Sequence, residues 1–542
     1  MAEVAQQHSH HGIVLIGFMA AGKTRAAEAI AARLGLGVID TDDLLERELG
    51  EPISSFFERE GEVEFRRREE LLVVSALDAL AGQVGGASSV VALGGGAIES
   101  EAVRRALREH MPVWCDVDEE TAWERAKGSD RPLAIDRQEF SRRFAERRPL
   151  YEEAARAILP SRAGEAGGPA APWLAAASEA PGVRLIWADS ATGSYPAAVG
   201  EGAIALFDRA RAFAPGALPE RVFRIADAEV LSLHERLLPA GEATIEVEGS
   251  EASKTLAEAE RVLGELARAG ARRDDCLLAF GGGVVGDLGG FCAATYQRGV
   301  ALIQVPTTLV AQVDSAYGGK TGVDLPEAKN YIGAYHQPLA VLADPRTLGT
   351  LPREELAAGW VEVLKTALIA GGPLWQRVRE IRELDPRELD EVIFECARTK
   401  IQIVAEDERD SGRRAVLNLG HTVGHAIEAE TRYLRYRHGE AVGLGLLAAL
   451  RLSDAEGLRA EVADLLAEQR LPTMLDAAVS VDGVIEAIGR DKKRTSEGLG
   501  FVLLEQPGEP RWGEPVADDR VRAAVEELYA SHPRSRRRGG GV

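Results

Sequence analysis

Eight consecutive residues near the N-terminus have the composition and spacing of a phosphate-binding loop. Residues 17–24 read Gly-Phe-Met-Ala-Ala-Gly-Lys-Thr, which satisfies the pattern G-x-x-x-x-G-K-[ST]. An apolar run at 13–16 precedes the loop and an alanine-rich stretch follows it. In that setting, backbone N–H groups and a helix N-terminus hold phosphate oxygens. The pattern predicts a nucleotide site built on Gly17, Gly22, Lys23 and Thr24, in which Lys23 reaches the β- and γ-phosphates and Thr24 ligates Mg²⁺.

A second group of residues has the spacing of a metal centre. Three of the ten histidines, His421, His425 and His438, fall within eighteen positions. His421 and His425 are four residues apart, so a helix places them on one face. A zinc protease motif requires Glu directly after the first histidine, whereas this chain has Thr422. Glu362, in an otherwise apolar helical stretch, is the best candidate for an accompanying carboxylate ligand.

A third pattern, the glycines at 281–283, is less specific. They follow an apolar stretch at 277–280 and precede Val284-Val285-Gly286-Asp287. A glycine-rich turn after a strand is common where dinucleotide phosphates bind, but this spacing is not the G-x-G-x-x-G of a Rossmann fold. On these residues alone, a cofactor site and an ordinary turn are equally open.

The elements that must position these residues belong to an α/β fold. Strand-like apolar runs alternate with helical stretches, which predicts parallel sheets covered by helices on both sides. The expected strands are 13–16, 90–93 and 113–117 in a first region, and 183–187, 203–207, 244–247, 277–280 and 302–305 in a second. After about residue 344, long amphipathic helical stretches dominate.

The composition predicts the following division of the chain. A P-loop domain spans 12–160, and a Gly/Ala/Pro/Ser-rich interdomain linker spans 161–182. A nucleotide-binding α/β domain at 183–345 is followed by a mainly helical metal-binding domain at 346–530 and a disordered basic tail at 531–542.

The overall charge restricts the classes of partner. The 542 residues include 64 basic and 86 acidic side chains, a net charge of −22, which argues against broad binding to nucleic acids or anionic membranes. No apolar run approaches the roughly 18 residues of a membrane span, and residues 1–12 do not resemble a signal peptide. Four widely spaced cysteines without a CxxC pair are typical of buried side chains in a reducing cytoplasm.

Lysine is unusually rare. Because arginine meets the general need for positive charge, and lysine is a compact point charge whose pKa can shift, each lysine is a candidate for a specific role. Only nine of the 64 basic residues are lysine: Lys23, Lys127, Lys254, Lys320, Lys329, Lys365, Lys400, Lys492 and Lys493. With Lys127 placed at a predicted lid and the others in the motifs, only Lys400 is left without a predicted role.

Several short motifs follow the phosphate loop in a fixed order. They are Asp40-Thr41-Asp42, Glu64-Phe65-Arg66-Arg67, Leu93-Gly94-Gly95-Gly96-Ala97, Arg131-Pro132-Leu133 and Arg147-Arg148-Pro149-Leu150-Tyr151. In this order and spacing, residues 12–160 resemble shikimate kinase. One departure is Ala20, which stands where that family often has Gly and removes no functional group.

The resemblance to shikimate kinase implies a role for each motif. Asp40 would lie near Mg²⁺, and Asp42 would orient or deprotonate the acceptor hydroxyl. Arg66 and Arg147 would pair with the shikimate carboxylate, a two-oxygen anion that suits the arginine fork. Gly95 would let the backbone approach the substrate ring. Arg131, on a lid, would stabilise the transferring phosphoryl group.

The remainder of the chain, from about 183 to 525, resembles 3-dehydroquinate synthase. The resemblance is carried by three segments, at 290–299, 305–338 and 350–369, together with the histidine group. It implies catalytic NAD⁺ and one divalent metal, Zn²⁺ or Co²⁺, held by Glu362, His421 and His438. Glu229 stands where Asn is common.

The same resemblance assigns the remaining site residues. Substrate contacts would be Arg298, Lys320, Asn330, Lys365, Arg414, Asn418, His425 and one of Lys492 and Lys493, with Lys320, Lys365 and His425 also catalytic. Cofactor contacts would be Asp227, Glu251, Lys254, Gly282, Gly283, Val284, Asp287, Thr307, Thr308, Asp314, Ser315, Lys329, Thr350, Leu351 and Glu355.

Together the resemblances imply a bifunctional enzyme of the shikimate pathway. One half would phosphorylate shikimate with ATP and Mg²⁺. The other would convert 3-deoxy-D-arabino-heptulosonate 7-phosphate to 3-dehydroquinate, with transient oxidation by NAD⁺, loss of phosphate, return of the hydride and an intramolecular aldol step. The resemblance also implies a cytoplasmic homodimer joined through the synthase half.

Two alternatives stay open at this stage. The C-terminal half could be another sugar-phosphate cyclase or a polyol dehydrogenase, because these enzymes share the scaffold. Arg298, Asn330, Arg414 and Asn418 favour the anionic substrate over a simple alcohol. The N-terminal half could be a non-catalytic nucleotide-binding module, although Lys23, Thr24, Asp40 and Asp42 are all present.

Overall fold

A computed structural model describes residues 12–81, 89–127, 136–160, 162–492 and 500–529. The chain divides into two compact units. The N-terminal unit comprises Met1–Asp189, Ser194–Val222 and Leu237–Ala240, and the C-terminal unit comprises Ser190–Gly193, Phe223–Arg236 and Gly241–Val542. Both units combine strands with helices, so the predicted α/β class is confirmed.

The N-terminal unit alternates strands and helices from its first residues. In chain order its elements are β1 Ile13–Ile16, α1 Lys23–Leu34, β2 Gly37–Asp40, α2 Thr41–Leu49, α3 Ile53–Ala81, β3 Ser89–Ala92, α4 Glu101–Leu107, β4 Met111–Cys115, α5 Glu119–Ala126, α6 Arg137–Ala154, β5 Ala157–Leu159, α7 Ala163–Ser178, β6 Val183–Asp189, β7 Ser194–Gly200 and α8 Leu206–Phe213. Helix α3 is interrupted at Gly61, whose φ is 83°.

The strands of the N-terminal unit follow the order β2-β3-β1-β4-β5-β6-β7. The first six are parallel, and β7 runs antiparallel to β6. Val14 pairs with Val91 on one side and with Pro112 on the other, so β1 is central. Its four residues are buried, which explains why the sequence shows an unbroken apolar run there. The carboxyl end of β1 leads into the phosphate loop.

The segment predicted as a linker, 161–182, is instead largely the buried helix α7. Its helix packs against α1 and α8, and Trp173 is 2% exposed with its ring 6.3 Å from that of Phe207. A Cβ on Gly167 would lie 3.0 Å from the Ala26 carbonyl oxygen, so small residues allow the two helix backbones to approach closely. The Ala/Gly composition therefore reflects helix packing rather than chain flexibility.

The expected strand at 203–207 is also wrong. Residues Ala203–Ala205 form a 3₁₀ turn, and Leu206 begins α8. Leu206, Phe207 and Ala210 are buried, so the apolar run is the inner face of a helix. Short apolar runs do not distinguish a buried strand from a buried helical turn.

The C-terminal unit begins with a second α/β region. Its elements in chain order are β8 Val222–Asp227, α9 Ala228–His234, β9 Ala243–Val247, α10 Leu256–Arg268, β10 Cys276–Gly281, α11 Gly283–Thr295, β11 Ala301–Pro306, β12 Lys320–Leu325, β13 Ala328–Tyr335 and β14 Ala340–Ala343. The strand order is β14-β11-β10-β8-β9, and β12 and β13 form a separate antiparallel hairpin.

The rest of the C-terminal unit is mainly helical. It contains α12 Arg353–Ala370, α13 Gly372–Val378, α14 Asp390–Glu406, α15 His421–Glu430, α16 His438–Leu452, α17 Glu456–Glu468, α18 Val481–Lys492, the hairpin β15 Phe501–Leu504 and β16 Pro510–Glu514, and α19 Asp518–Glu526. Helices α12 and α15 both pack against α16. Among the described residues, no helix is long and apolar enough to cross a membrane.

Candidate active sites

The phosphate loop joins β1 to α1, as the motif predicts. Gly22 precedes the first turn of α1 with φ 89°, a conformation that favours glycine. Ala20 also has a positive φ, 61°, which is uncommon for a residue with a side chain. Lys23 Nζ donates hydrogen bonds to the carbonyl oxygens of Gly17, at 2.9 Å, and Phe18, at 3.0 Å. The ammonium group therefore lies against the loop, where the motif requires it.

Two acidic residues adjoin the phosphate loop at the end of β2. The Thr24 hydroxyl donates to Asp40 Oδ2 at 2.7 Å, so the two predicted Mg²⁺ ligands are in contact. Asp40 also accepts a hydrogen bond from the Asp42 backbone N–H at 3.0 Å and thereby caps α2. This arrangement is an oxygen-rich site of the kind that Mg²⁺ prefers.

The three glycines after β3 let the backbone approach several side chains of the site. A Cβ on Gly94 would lie 2.5 Å from Asp42 Oδ1, and one on Gly96 would lie 1.9 Å from a guanidinium nitrogen of Arg66. A Cβ on Gly95 would lie 3.2 Å from the Met19 backbone nitrogen. Gly95, the predicted substrate contact, and its two neighbours therefore border the loop and the acceptor side of the site.

Arg66 on α3 and Arg147 on α6 lie on either side of Glu99. Arg147 Nε donates to Glu99 Oε1 at 2.8 Å, and Arg66 Nε lies 3.7 Å from Glu99 Oε2. Arg66 Nη1 also donates to Glu69 Oε2 at 2.6 Å. The side chain of Arg147 is 1% exposed. The structure thus brings together the two arginines that the sequence pairs, in a setting able to bind a carboxylate.

Burial raises the pKa of Glu69, although Arg66 opposes this shift. Sequence reasoning missed both Glu69 and Glu99. Glu69 follows Arg66 by three residues on one helix, and this spacing was an available signal. For Glu99 no local pattern pointed to the site. The predicted lid residue Arg131 lies outside the described residues.

In the C-terminal unit, the glycines at 281–283 lead from β10 into α11. A Cβ on Gly282 would lie 2.9 Å from the Thr308 methyl carbon, and one on Gly283 would lie 3.1 Å from Ser315 Oγ. The Thr307 backbone N–H donates to the Gly281 carbonyl at 3.0 Å. Most of the predicted cofactor residues of this region therefore meet at one strand end and helix N-terminus, with Val284 in the first turn of α11.

Lys254 connects the glycine-rich turn to the β12–β13 hairpin. Its ammonium group, on a residue that is 3% exposed, donates to the side chains of Asp287 and Asn330. Asp287 lies in α11, and Asn330 adopts a φ of 53° on the hairpin. Asn330, predicted as a substrate contact, therefore lies beside predicted cofactor contacts.

Other predicted cofactor residues lie elsewhere in the chain, and several of them contact residues that are distant in sequence. Asp227 caps α9 through the backbone N–H groups of Glu229 and Val230. Lys329 Nζ lies 3.2 Å from Glu251, the Thr350 hydroxyl is 2.7 Å from His234 Nε2, and Glu355 accepts from Arg437 at 2.7 Å. Leu351 ends the 3₁₀ turn Pro345–Thr350.

The predicted metal ligands come together from three helices. Glu362 on α12, His421 at the start of α15 and His438 at the start of α16 each offer a ligand atom, and these atoms lie within 4.8 Å of one another. His421 Nε2 and His438 Nε2 lie 3.6 and 3.4 Å from Glu362 Oε1. One carboxylate oxygen and two imidazole nitrogens match the ligand set of a catalytic zinc site.

The remaining nitrogen of each histidine is also held. His421 Nδ1 lies 3.2 Å from the Leu419 carbonyl oxygen, and His438 Nδ1 lies 3.4 Å from Glu428 Oε2. Such partners fix the ring orientation and leave Nε2 directed toward the metal position. Glu428 was not predicted, although it follows His421 by seven and His425 by three residues on one helix.

The charges around Glu362 fit a bound cation. Glu362 is 1% exposed and forms an ion pair with Lys365, whose Nζ lies 2.6 Å from Oε2. By geometry, neither carboxylate oxygen of Glu362 accepts a hydrogen bond from the described residues. Burial would raise the pKa of Glu362, but Lys365 and the two histidines lower it well below its usual range. Burial lowers the pKa of His421 to about 3. Burial acts in the same direction on His438, but Glu362 and Glu428 outweigh it and raise that pKa to about 10.

Two buried lysines border the metal ligands. Lys365 Nζ is 3.7 Å and Lys400 Nζ 2.8 Å from Asp314 Oδ1. Burial would raise the pKa of Asp314, but these two lysines lower it to about 2. Burial lowers the pKa of Lys400, whereas for Lys365 the nearby carboxylates outweigh burial and raise the pKa. Lys400, the lysine without a predicted role, thus lies in the site, and the rarity of lysine was the signal for it.

The other predicted substrate residues are less closely gathered. His425 is exposed, with its ring 5.2 Å from that of His421. Arg414 is buried and donates to the carbonyl oxygens of Gly318 and Glu408. Lys320 pairs with Asp410. Asn418 and Arg298 are both exposed, and Arg298 has a φ of 68°. Of the two lysines predicted as alternative substrate contacts, Lys492 ends α18 and Lys493 lies outside the described residues.

Comparison with known proteins identifies each part of the chain. Residues 19–167 match the family model of shikimate kinase. Residues 244–358 and 359–494 match the N-terminal and C-terminal models of 3-dehydroquinate synthase. The junction at 358–359 falls within α12, four residues before Glu362.

Curated relatives agree with the synthase match. A 3-dehydroquinate synthase of Symbiobacterium thermophilum is 41% identical over 353 residues, which cover 62% of this chain and 98% of that protein. One from Pseudoalteromonas translucida is 46% identical over 264 residues, covering 47% of this chain and 74% of that protein.

Solved structures give a similar result at lower identity. A 2-deoxy-scyllo-inosose synthase, complexed with carbaglucose-6-phosphate, NAD⁺ and Co²⁺, superposes with a TM-score of 0.54 at 25% identity, covering 63% of this chain and 99% of that one. A 2-epi-5-epi-valiolone synthase from Streptomyces hygroscopicus, with NAD⁺ and Zn²⁺ bound, has a TM-score of 0.52 at 25% identity, covering 58% and 92%. The chain therefore belongs to the 3-dehydroquinate synthase family and carries a fused shikimate kinase domain, which makes it a bifunctional enzyme of the shikimate pathway.

Proposed function

We propose that the N-terminal site transfers the γ-phosphoryl group of ATP to shikimate, giving shikimate 3-phosphate. The P-loop backbone and Lys23 bind the phosphates, because Lys23 Nζ already lies against the loop carbonyls. Arg66 and Arg147 bind the substrate carboxylate. An oxygen of Asp42, beside Gly94, takes the proton of the acceptor hydroxyl. Arg131 is assigned to the phosphoryl group by the family resemblance alone.

Thr24 and Asp40 are the residues we assign to Mg²⁺. Their contact at 2.7 Å supports this assignment, since one ion can be held by both oxygens. When bound with ATP, Mg²⁺ supplies positive charge at the phosphates. The chain's own contribution to the transfer is to align the acceptor hydroxyl with the γ-phosphoryl group and to exclude water from it.

For the C-terminal site, we propose conversion of 3-deoxy-D-arabino-heptulosonate 7-phosphate to 3-dehydroquinate and inorganic phosphate. Glu362, His421 and His438 hold a divalent metal, Zn²⁺ or Co²⁺, and the residues around Gly282, Lys254 and Asp287 hold NAD⁺. When bound, the two groups supply a Lewis acid and a reversible hydride acceptor. The close approach of one carboxylate and two imidazoles supports the first assignment.

The positively charged side chains bind the substrate anions in this proposal. Lys365 and Lys400 place two ammonium groups beside Asp314, and Lys320 and Arg414 provide two more cations for the phosphate and carboxylate. His425, exposed beside His421, is assigned to proton transfer. Asn330, Asn418, Arg298 and Lys492 or Lys493 complete the assigned substrate contacts through the family resemblance.

The observation that supports both proposals is that residues separated by tens of positions in the sequence lie close together, Arg66 and Arg147 around Glu99 in one site and Glu362 beside His421 and His438 in the other. We retain the predicted functional division, with kinase residues in 12–160, cofactor residues in 183–345 and metal residues in 346–530. The segment 163–178 is then a structural part of the N-terminal unit. We also propose a cytoplasmic homodimer joined through the synthase half, with small molecules as the partners; light scattering after size-exclusion chromatography tests the dimer.

A different cyclase reaction is the second candidate for the C-terminal site. The structure of 2-deoxy-scyllo-inosose synthase shares its fold with this chain at 25% identity. The curated 3-dehydroquinate synthases are 41% and 46% identical, which favours the dehydroquinate reaction. Product analysis with glucose 6-phosphate and with the seven-carbon substrate separates the two candidates.

Two assays on the purified full-length chain test the proposal. Shikimate with ATP and Mg²⁺ should give shikimate 3-phosphate. The seven-carbon phosphate with NAD⁺ and Zn²⁺ should release phosphate without accumulation of NADH, because the hydride returns in each turnover. Absence of one activity from a folded sample contradicts that half of the proposal, and net NADH formation with simple polyols would favour a dehydrogenase.

A further inference from the structure

Glu99 lies between the two arginines that we assign to the substrate carboxylate. It belongs to the 3₁₀ turn Ala97–Glu99, directly after the glycine triplet. Its two carboxylate oxygens face different arginines, Oε1 at 2.8 Å from Arg147 Nε and Oε2 at 3.7 Å from Arg66 Nε. A carboxylate with one oxygen toward each guanidinium is the arrangement expected of the substrate itself.

The two arginines retain unused hydrogen-bonding capacity. Arg147 is 1% exposed, and its Nη2 has no hydrogen-bond partner among the described residues. Arg66 Nε is likewise buried without a hydrogen bond among those residues. A buried guanidinium donor without an acceptor is unfavourable. Glu99 therefore satisfies the pair only in part, and an additional or better-placed carboxylate is favoured there.

The charges show which acidic group can leave. Arg66 and Arg147 contribute two positive charges, and Glu69 and Glu99 contribute two negative charges. Glu62, 3.6 Å from Arg66, is itself paired with Arg143 at 2.8 Å, so this second pair adds no net charge. A substrate carboxylate added to this balanced set would leave one excess negative charge in a largely buried site, which is costly. Glu69 has a 6% exposed side chain and is bonded to Arg66 at 2.6 Å, whereas the side chain of Glu99 is 39% exposed on a short turn.

We propose that Glu99 is an internal competitor that occupies the carboxylate position of the kinase site and must swing toward solvent when shikimate binds. The inference rests on the proposed kinase function and names a determinant of its substrate affinity. Because substrate binds only the fraction of molecules in which Glu99 has moved away, the apparent affinity is lower than the intrinsic affinity by that fraction. Since displacing Glu99 leaves the arginines without a carboxylate unless the ligand supplies one, ligands that lack a carboxylate should bind more weakly.

Kinetics of the E99Q and E99A variants in the full-length chain test this proposal. Glutamine keeps the size of the side chain but removes the charge that pairs with the arginines. We expect the KM for shikimate to fall three- to tenfold in both variants, with kcat within twofold of the unchanged chain. The Kd for shikimate measured calorimetrically without ATP should fall by a similar factor.

Glu101→Gln is the matched control. Glu101 lies two residues away with a 79% exposed side chain and pairs with Arg105 at 2.9 Å. This substitution removes the same charge, so it should leave KM and Kd unchanged.

If Glu99 instead holds the arginines in position, KM and Kd will rise in E99Q and E99A, and the proposal is wrong. Unchanged values in both variants overturn it as well. If the unsubstituted folded chain does not phosphorylate shikimate at all, the proposed kinase function is wrong and this inference falls with it. Synthase activity and thermal unfolding of the same samples report whether the variants are folded.

Discussion

The arginine pair of the N-terminal unit, Arg66 and Arg147, and the predicted metal ligands of the C-terminal unit differ in how their charges are balanced. In the first, two arginines are balanced by Glu69 and Glu99 from the chain itself. In the second, the nearly inaccessible Glu362 faces two histidines and forms an ion pair with Lys365 at 2.6 Å, although by geometry its oxygens accept no hydrogen bond from the described residues. One site holds acidic side chains of the chain itself beside its arginines, whereas the other brings a carboxylate and two imidazoles together around the position that we assign to a metal ion.

This difference has consequences for how each site responds to loss of a group. A balanced set of charges in which one acidic side chain, Glu99, is partly exposed tolerates exchange of that carboxylate for another. Glu362 is buried with Lys365 as a charged partner, and removing one member of a buried charged group is costly, so we expect the assigned metal, the histidines and Glu362 to behave as one unit. The two active sites should therefore fail independently, and the following variants are ordered by the size of the expected effect.

Asp42→Asn should abolish most of the kinase activity and spare the synthase. Loss of a positioned general base typically costs about 10²–10⁴-fold in rate, and we expect kcat for shikimate phosphorylation to fall within that range. Asp43→Asn is the matched control, because Asp43 is the next residue of the same first helical turn and is also exposed. Equal kcat values for the two variants would show that Asp42 has no special role.

Glu362→Gln should remove the metal from the C-terminal unit. The loss in metal affinity should exceed the roughly 10–100-fold typical of an outer partner, because a ligand charge disappears. The bound metal is measured by mass spectrometry after dialysis against a zinc-selective chelator in the presence of excess Mg²⁺. Synthase activity should disappear, whereas shikimate kinase activity should persist. Full retention of zinc would exclude Glu362 as a ligand.

Glu428→Gln should weaken metal binding more moderately. Glu428 lies 3.4 Å from the ring nitrogen of His438 that faces away from Glu362, so it orients this histidine. About a 10–100-fold loss in metal affinity is expected, measured by competition with a chromophoric chelator. Glu430→Gln, at the end of the same helix, should show no loss. The prediction fails if both variants retain zinc equally well.

Gly167→Leu should destabilise the N-terminal unit by about 1–3 kcal/mol through overpacking. A Cβ at this position would lie 3.0 Å from the Ala26 carbonyl oxygen of the phosphate-loop helix. Gly168→Leu is the control, since no atom of the described residues lies within 4 Å of its Cβ position. Thermal unfolding and kinase activity report the effect. A freely moving linker at 163–178 would give equal, unchanged stabilities for both variants.

Ala20→Gly should have the smallest effect, a gain of about 1 kcal/mol or less. The φ of 61° at Ala20 is unfavourable for a residue with a Cβ, but glycine also loses more entropy on folding. Denaturant unfolding monitored in the N-terminal unit measures the difference. A clear loss of stability would indicate that Ala20 does not adopt the left-handed conformation.

Local chemistry explains which predictions the structure reproduced. The phosphate loop, the strand before it and the helix after it are contiguous, so their geometry follows from neighbouring residues. The spacing of His421 and His425 likewise requires only a helix. The segment 163–178 could not be recognised in this way, because its helix depends on close contact with α1, and Ala/Gly/Pro composition also suits a linker.

Three of the residues whose roles sequence reasoning missed share a different property. Glu99, Glu428 and Lys400 act on partners that lie 48, 10 and 86 residues away in the chain. Such long-range pairs leave little periodic signal in a single sequence. Rarity of lysine marked Lys400 as notable but not where its side chain would lie.

The sequence by itself determined which chemical groups this protein carries: a phosphate-loop pattern, a group of histidines with a candidate carboxylate ligand, and a family resemblance for each half. Those features depend on residue type and short spacing. Only the tertiary structure decided that Glu99 faces both arginines, that Lys400 borders Asp314 and that α7 is part of the N-terminal unit's core. The physical reason is that charge balance and close packing depend on distances between elements, which the chain order does not specify.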